Sequence, residues 1–406
     1  MSNRYLVIAD DFTGANDTGV QLRRRGLTTS MMFAGRPIPP EGSVVIDTES
    51  RGMTGPEAGA AAEKALKNVD FSAYKYVIKK VDSTLRGNVA EEILAADRAF
   101  GSELVIFAPA FPDLDRTTTG GVHKLKGVPI TQTELAKDPK KPVTEDNLEK
   151  ILAKVYEEPV THLSLEEIRS GKPDLTRARL CTADAERNSD LQTVIAAALA
   201  TGKKTLWVGT AAMADNLMAI EDPVLPALGV AGSVSSVTCG QIKAAEAAGV
   251  ALVKVPVHHI LSGAEAADEY VEKTVRSLLA GRDTILLSSS TYDREDLALS
   301  AQEGKKKGLE TWQVSEYVQT LLGRMTMEVL ARAKISGAFL TGGDTAMGVL
   351  DAAAADGSEI LDEIAVGIPL MRIVGGAMDG VRVVTKAGAF GKEDALLFAL
   401  RKLKEK

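Results

Sequence analysis

The feature that most limits this chain is an alternation. Short apolar, β-branched runs (Tyr5–Ala9, Val44–Asp47, Tyr76–Lys80, Leu104–Ala108, Thr205–Val208) take turns with segments of helical periodicity (Ala15–Arg25, Glu57–Leu66, Val89–Phe100, Leu191–Ala200). Strand then helix, repeated, builds a mostly parallel sheet with helices on both faces. The helix ends carry their own punctuation. Asn88 with Glu91 three residues later has the spacing of a capping box, and Gly26 and Gly101 stand where left-handed helix ends place glycine. The rhythm breaks at "IEDPVLPALGVAG", whose Pro223 and Pro226 read as a linker. It resumes with strands at Ala251–Val255, Thr284–Ser288, Ala338–Thr341 and Val381–Thr385. For 406 residues the expectation is two α/β domains, 1–228 and 229–406, with an active site in the cleft between them. Pro109–Asn147 does not fit: rich in proline and glycine, it reads equally as a functional loop or a surface hairpin.

Composition narrows the function classes. A net charge of −7 without a long basic run argues against nucleic acid and anionic membrane as partners. Cys181 and Cys239, the only two cysteines, lie far apart, which suits a reducing compartment and no disulfide framework. Residues 1–30 lack the basic start and apolar stretch of a signal peptide, and no apolar run reaches the roughly 18 residues of a membrane span. The expected location is the cytoplasm.

Chemistry gathers at strand ends, where open α/β sheets bind ligands. Asp10 and Asp11 follow the first strand, Arg51 in "DTESR" the second, "KKVDSTLRGN" (79–88) the third, and Arg116 lies in the loop after the fourth. Each alone is ordinary turn chemistry. Together they offer carboxylates for hydroxyl groups and guanidinium forks for a carboxylate or phosphate, which suits a small polyhydroxylated acid. The second half offers small-residue turns instead: "GSVSSVTCGQI" from Gly232, "TGGDTAMGVL" from Thr341 and "TKAGAFG" from Thr385. Glycine lets backbone approach a ligand closely and helix-start N–H groups attract anions, so three such loops would make a nucleotide-phosphate cradle. Neither a Walker A pattern nor a GxGxxG after a strand is present. HExxH and clustered Cys/His are also missing, and four histidines give little basis for a His-centred triad.

The motifs "IADDFTGANDTG", "KKVDSTLRGN", "APAFPDLDRTTTGG", "GSVSSVT", "TGGDTA" and "KAGAFG", in this order along the whole chain, resemble those of the four-carbon acid sugar kinases. The resemblance implies an N-terminal acid-sugar domain and a C-terminal ATP domain. It also implies phosphorylation of the terminal C4 hydroxyl of threonate, erythronate or a 3-oxo-tetronate, the opening motif being most similar to D-threonate kinases. By the same resemblance Asp10, Asp11, Arg51, Lys80, Asp82, Ser83, Thr84 and Arg116 would hold the sugar acid, with Arg51 on its carboxylate. Ser233, Ser235, Gly342, Gly343, Asp344, Thr345 and Gly388 would hold ATP with Mg²⁺, whose protein ligands stay unassigned. Ala387 and Ala389 stand where the family frequently has a more polar "KSGNFG", leaving that loop its backbone contacts. Asp11, Asp82 and Asp344 are rival bases, a homo-oligomer stays open, and the alternatives are an aldonic-acid oxidoreductase or a non-catalytic sugar-acid-binding protein.

Overall fold

The alternation is present in the computed structural model, which describes residues 4–405. The chain forms two compact units dividing between Pro223 and Val224. The first unit carries β1 (Tyr5–Ala9), β2 (Thr29–Phe33), β3 (Ser43–Asp47), β4 (Tyr76–Lys80), β5 (Leu104–Phe107), β6 (Arg116–Thr119), β7 (Val122–Leu125), β8 (Val128–Pro129), β9 (Val160–Leu163), β10 (Leu180–Ala183) and β11 (Thr205–Gly209). Eight of them make one sheet in the order β2-β3-β1-β4-β11-β5-β10-β9, every neighbouring pair parallel. β1, β3, β4 and β5 are buried throughout, which is why they read as unbroken apolar runs. Two apolar clusters, around Val7, Ile106 and Trp207 and around Leu6, Ile93 and Phe107, contain alternate residues of the same strands.

The second unit carries β12 (Leu228–Ala231), β13 (Ala251–Val255), β14 (Thr284–Ser288), β15 (Ala338–Thr341), β16 (Gly357–Ala365), β17 (Ile368–Val374) and β18 (Arg382–Lys386). Its sheet runs β13-β14-β12-β15-β18-β17-β16, parallel except for the antiparallel β16–β17–β18 edge.

Two local expectations change, and one that was left open is decided. The segment read as a linker contains β12, a central strand: Leu228–Ala231 is too short to show periodicity and is disguised by flanking proline and glycine. Asn88 precedes the helix Val89–Phe100 but its side chain does not cap it. Its amide donates to the carbonyls of Ser50 and Met53 (3.0 Å each) and its oxygen accepts from Lys141, fastening the loop after β3. Gly26 and Gly101 do take left-handed φ values of 80° and 65°. Within Pro109–Asn147 lies a small three-stranded antiparallel sheet, β6-β7-β8, flanked by short 3-10 turns, which agrees with the hairpin reading.

Beneath the strand ends lies an ion pair with no access to water. Lys79 of β4 bonds Glu92 at 2.7 Å, the side chains 0% and 2% exposed, and Ser50 Oγ donates to the other Glu92 oxygen at 2.9 Å. Removing one partner leaves a buried charge unmatched, whereas replacing both with apolar groups does not. Lys79→Met is therefore expected to lower stability by about 3–5 kcal/mol. The double variant Lys79→Met/Glu92→Leu should recover most of it. Urea unfolding followed by circular dichroism checks this; a double variant as unstable as the single one refutes it.

Candidate active site

β1, β3 and β4 run parallel in one register, Ala9 beside Asp47 and Ile8 beside Lys79, so their carboxyl ends deliver Asp10, Thr48 and Val81 to one edge. Asp10 is buried, 2% exposed. Asp11 caps the helix Phe12–Arg24, accepting from Gly14 N–H at 2.9 Å. Arg51 joins them. Its Nε and Nη2 donate to the two oxygens of Asp10 (2.8 and 2.9 Å), and its Nη1 and Nη2 to those of Asp11 (2.6 and 2.8 Å). Four of the five guanidinium donors are thus committed to the acid pair. Burial works against the Arg51 charge, but the bonds to Asp10 and the nearby Asp82 and Asp11 outweigh it and raise its pKa. Gly87, at φ 101°, packs on this assembly: a Cβ there would stand 3.0 Å from Asp10 Oδ2 and 3.4 Å from Arg51 Cγ.

The loop after β4 supplies a second ion pair. Asp82 accepts from Arg86 Nε and Nη2 (2.9 and 3.1 Å) and from the Thr84 hydroxyl, and lies 3.7 Å from Arg51. Burial tends to raise its pKa, but Arg86, Thr84 and the Arg51 charge hold the carboxyl far below the usual range. Such a carboxylate is a weak base. Lys80 is different. Its ammonium is buried and, among the described residues, donates to the Val81 carbonyl (3.1 Å) with no carboxylate paired to it. Burial lowers its pKa, opposed by Asp10, Asp82 and Asp17. Ser83 contributes its carbonyl, which His123 of β7 meets at 2.9 Å through Nε2, while His123 Nδ1 faces Thr118 Oγ1 at 3.0 Å. Burial pulls His123 down to about 4, so the ring is neutral and positions the loop. Arg116 opens β6 and bonds the Leu114 carbonyl; no hydrogen bond or ion pair joins it to Asp10, Asp11 or Asp82.

In the second unit a cavity of about 330 Å³ is lined by Ser233, Gly342, Gly343, Asp344, Thr345 and Gly388, all expected there. Ser235 instead caps the helix Ser236–Ala247 through Val237 N–H (3.2 Å). The loops are tied to one another. Gly342 N–H donates to the Lys386 carbonyl (2.9 Å), and Thr238 Oγ1 to that of Gly388 (2.9 Å). The left-handed position is Gly342, φ 100°, where a Cβ would press on Thr345 Oγ1 and Ser233 Cβ at 3.2 and 3.3 Å. Gly343 begins the helix Gly343–Ala352 with nothing within 4 Å of its missing Cβ. That open space beside helix-start amides fits a phosphate group. Among the described residues no group of three or more His, Cys, Asp or Glu side chains is arranged to hold a metal ion.

Sequence reasoning passed over three residues. Asp47 ends β3, buried, with Oδ2 unpartnered among the described residues; burial raises its pKa, aided by the charges of Glu49, Asp11 and Asp10. His123 lay inside the stretch without periodicity. Lys386 stood within a quoted motif, yet its side chain went unassigned: Nζ lies under the last loop, bonded to the Ala387 and Gly388 carbonyls (2.9 and 3.1 Å) and to Thr238 Oγ1 (3.3 Å). Burial lowers it to about 8.

The two neighbouring glycines should answer differently to alanine. Gly342→Ala forces a side chain into the left-handed region and against Ser233, a cost of about 1–3 kcal/mol. Gly343→Ala should leave stability unchanged or raise it by about 0.4–1 kcal/mol. Thermal unfolding of both variants without nucleotide tests the pair; equal effects would contradict it.

Comparison with known proteins agrees with this division. Residues 5–217 match a family described as "Sugar-binding N-terminal domain", and residues 228–396 one described as "Nucleotide-binding C-terminal domain". A D-threonate kinase of Salmonella typhimurium is 35% identical, covering 99% of both chains. A D-erythronate kinase of Heliobacterium modesticaldum is 29% identical over 97% of this chain and 95% of its own. A crystal structure from Bordetella bronchiseptica, a domain-swapped dimer with bound citrate, superposes with a TM-score of 0.62 at 28% identity, covering 99% of each chain. The chain belongs to the four-carbon acid sugar kinase family and is a sugar-acid kinase.

Proposed function

We propose that this kinase transfers the γ-phosphoryl group of ATP to the C4 hydroxyl of D-threonate. The observation that carries the acid half is the Arg51 fork between Asp10 and Asp11. An acid pair held by one guanidinium retains lone pairs for substrate hydroxyls with one of its two negative charges matched. The same fork moves the carboxylate contact away from Arg51, whose donors are engaged, to Lys80, the buried cation with donors to spare. Asp82 acts as the anchor of Arg86, and Ser83 and Thr84 shape the wall beside it. Citrate in the Bordetella protein is itself a hydroxy acid, which agrees with a carboxylate-binding pocket here, and its domain-swapped assembly supports a homo-oligomer.

ATP supplies the phosphoryl group; Gly343 with its open space, Gly342, Thr345, Ser233 and the Gly388 loop would hold its phosphates. Mg²⁺ would neutralise charge on those oxygens, with Asp344, exposed and without a hydrogen bond among the described residues, as its protein contact. Asp11, 26% exposed at the side chain against 10% for Asp82, is the acid more open to the C4 hydroxyl and its proton. Lys386 holds the loop carbonyls and adds a positive charge under it.

Each role has a measurable consequence. ADP release should be fastest with D-threonate, slower with D-erythronate by about ten- to a hundredfold, since one unmet hydroxyl costs about 1–3 kcal/mol. Threitol should be very poor, and phosphorus NMR should place the phosphate on C4. Threitol turnover equal to that of threonate would remove the carboxylate contact. Asp11→Asn should lower kcat/KM by about a hundredfold, near 2.7 kcal/mol, with the fold intact. Lys80→Met should raise KM for the acid far more than KM for ATP.

A pH dependence follows from Lys386. Its pKa in the folded protein, about 8, lies below the ordinary 10.5, so unliganded stability rises as pH climbs across that interval. A bound triphosphate favours the ammonium. Nucleotide binding near pH 8 should therefore take up protons and weaken as pH rises further. Calorimetry in two buffers of different ionisation enthalpy detects the uptake; its persistence in Lys386→Met would assign it elsewhere.

A further inference from the structure

The first unit has a cavity that the reaction leaves unused. Open α/β sheets bind their ligands at the carboxyl ends of the strands, where Asp10, Arg51 and Lys80 lie. This cavity, of about 610 Å³, lies at the opposite ends, beside Tyr76 and Thr205, the first residues of β4 and β11. At about 3.3 Å per strand residue, Tyr76 stands roughly 13 Å along β4 from Lys80. In a chain only 4% aromatic, five aromatic side chains line this one cavity: Phe71, Tyr74, Tyr76, Phe100 and Trp207. Lys75, Lys203 and Lys204 line it too, with Glu221 as the one acid among them. Lys75 takes Glu221 as its ion-pair partner. Lys204 Nζ bonds the Phe100 carbonyl and stands 4.3 Å from the centre of the Phe100 ring. No carboxylate pairs with the ammonium of Lys203 or Lys204 among the described residues. A buried donor completes the set. Tyr76 is 4% exposed, and its Oη makes no hydrogen bond of good geometry among the described residues, although Glu221 lies nearby. Burial and that carboxylate raise its pKa, so the phenol keeps its proton.

We propose that this cavity is a further small-molecule site, separate from those of the sugar acid and ATP, for a planar aromatic carboxylate. The ring lies against Phe71, Tyr76 and Phe100, and the carboxylate turns one oxygen to each of Lys203 and Lys204. Each feature selects its part of the ligand. A ring on an aromatic floor buries apolar area and gains the offset and edge contacts of aromatic pairs. An anion at the rim meets two ammonium groups without displacing a carboxylate of the protein. The Tyr76 hydroxyl offers a donor to a polar atom on the ring. About 610 Å³ lies within the range of ligand cavities, whereas a four-carbon acid has no ring to cover such a floor. With the phosphoryl-transfer residues at the other end of the strands, the occupant is bound here and not turned over.

Calorimetry with 2-naphthoate tests the site, beside 2-naphthylmethanol (the ring without the charge) and acetate (the charge without the ring). The proteins are the wild type, Lys203→Gln/Lys204→Gln and Leu199→Trp, which fills the cavity from its wall. Both lysines are exposed, so the double variant should keep the wild-type circular dichroism spectrum. The wild type should bind 2-naphthoate saturably and about three- to thirtyfold tighter than 2-naphthylmethanol, the scale of two exposed ion pairs. Acetate should give no measurable heat of binding. The double variant should bind 2-naphthoate no better than 2-naphthylmethanol, and Leu199→Trp should bind neither ring. Saturating ATP or D-threonate should leave 2-naphthoate affinity unchanged. Competition by either substrate would place the ring in a site already described and overturn the proposal. Equal 2-naphthoate affinity in the wild type and the double variant would overturn it as well.

Discussion

Everything at the first strand ends depends on one guanidinium shared between two carboxylates. Asp10 and Asp11 are consecutive, so their charges cannot separate, and Asp10 is shielded from water. Without Arg51 the pair would repel at close range in a medium that screens poorly. With it, both oxygens of each acid are met by fork geometry, and the structure can hold Asp10 buried and Asp11 at the start of a helix. The neighbouring backbone obeys the same arrangement. Gly87 is glycine because its left-handed φ and its contact with Asp10 and Arg51 leave no room for a side chain, and Gly14 lies where a Cβ would crowd Asp11 and Lys80.

Much of the sheet was legible in the sequence, though burial alone did not decide which strands could be read. β1, β3, β4, β5, β13, β14 and β15 are apolar, β-branched runs that nothing else imitates. β2, β9, β10 and β12 escaped notice, either because their residues are only half-buried or because four residues carry too little pattern. Asn88 shows a different limit. The spacing to Glu91 is correct for a capping box, yet the amide is drawn into bonds with Ser50, Met53 and Lys141. Local propensity proposed a cap, and tertiary contacts from residues distant in sequence took the side chain instead.

Site residues were legible as types and less so as roles. Arg51 illustrates why: a lone arginine at a strand end suggests an anion from solution, and only geometry reveals that the anions are its own neighbours. Gly342 and Gly343 look interchangeable in "TGGD", but one is needed for its φ and the other for the empty space beside it. Lys386 was hidden for a related reason, since a lysine next to a glycine turn reads as a solvated charge until its ammonium is found beneath the loop.

The two units therefore handle negative charge by different means. The first answers carboxylates with dedicated cations at hydrogen-bond distance, as Arg51 does for Asp10 and Asp11 and Arg86 for Asp82. The loops of the second are built from glycine, serine and threonine, with backbone amides at the start of the helix Gly343–Ala352 and Lys386 below. Partial charges on amides favour an anion that arrives carrying its own counter-ion, because they stabilise without demanding full neutralisation in advance. Lys386 sharpens that logic. It is buried with no carboxylate paired to it among the described residues; its pKa is lowered to about 8, and a nearby anion favours the charged form. A permanent ion pair in its place would have made the cradle neutral and self-satisfied; an unmatched lysine leaves the field for the ligand to complete.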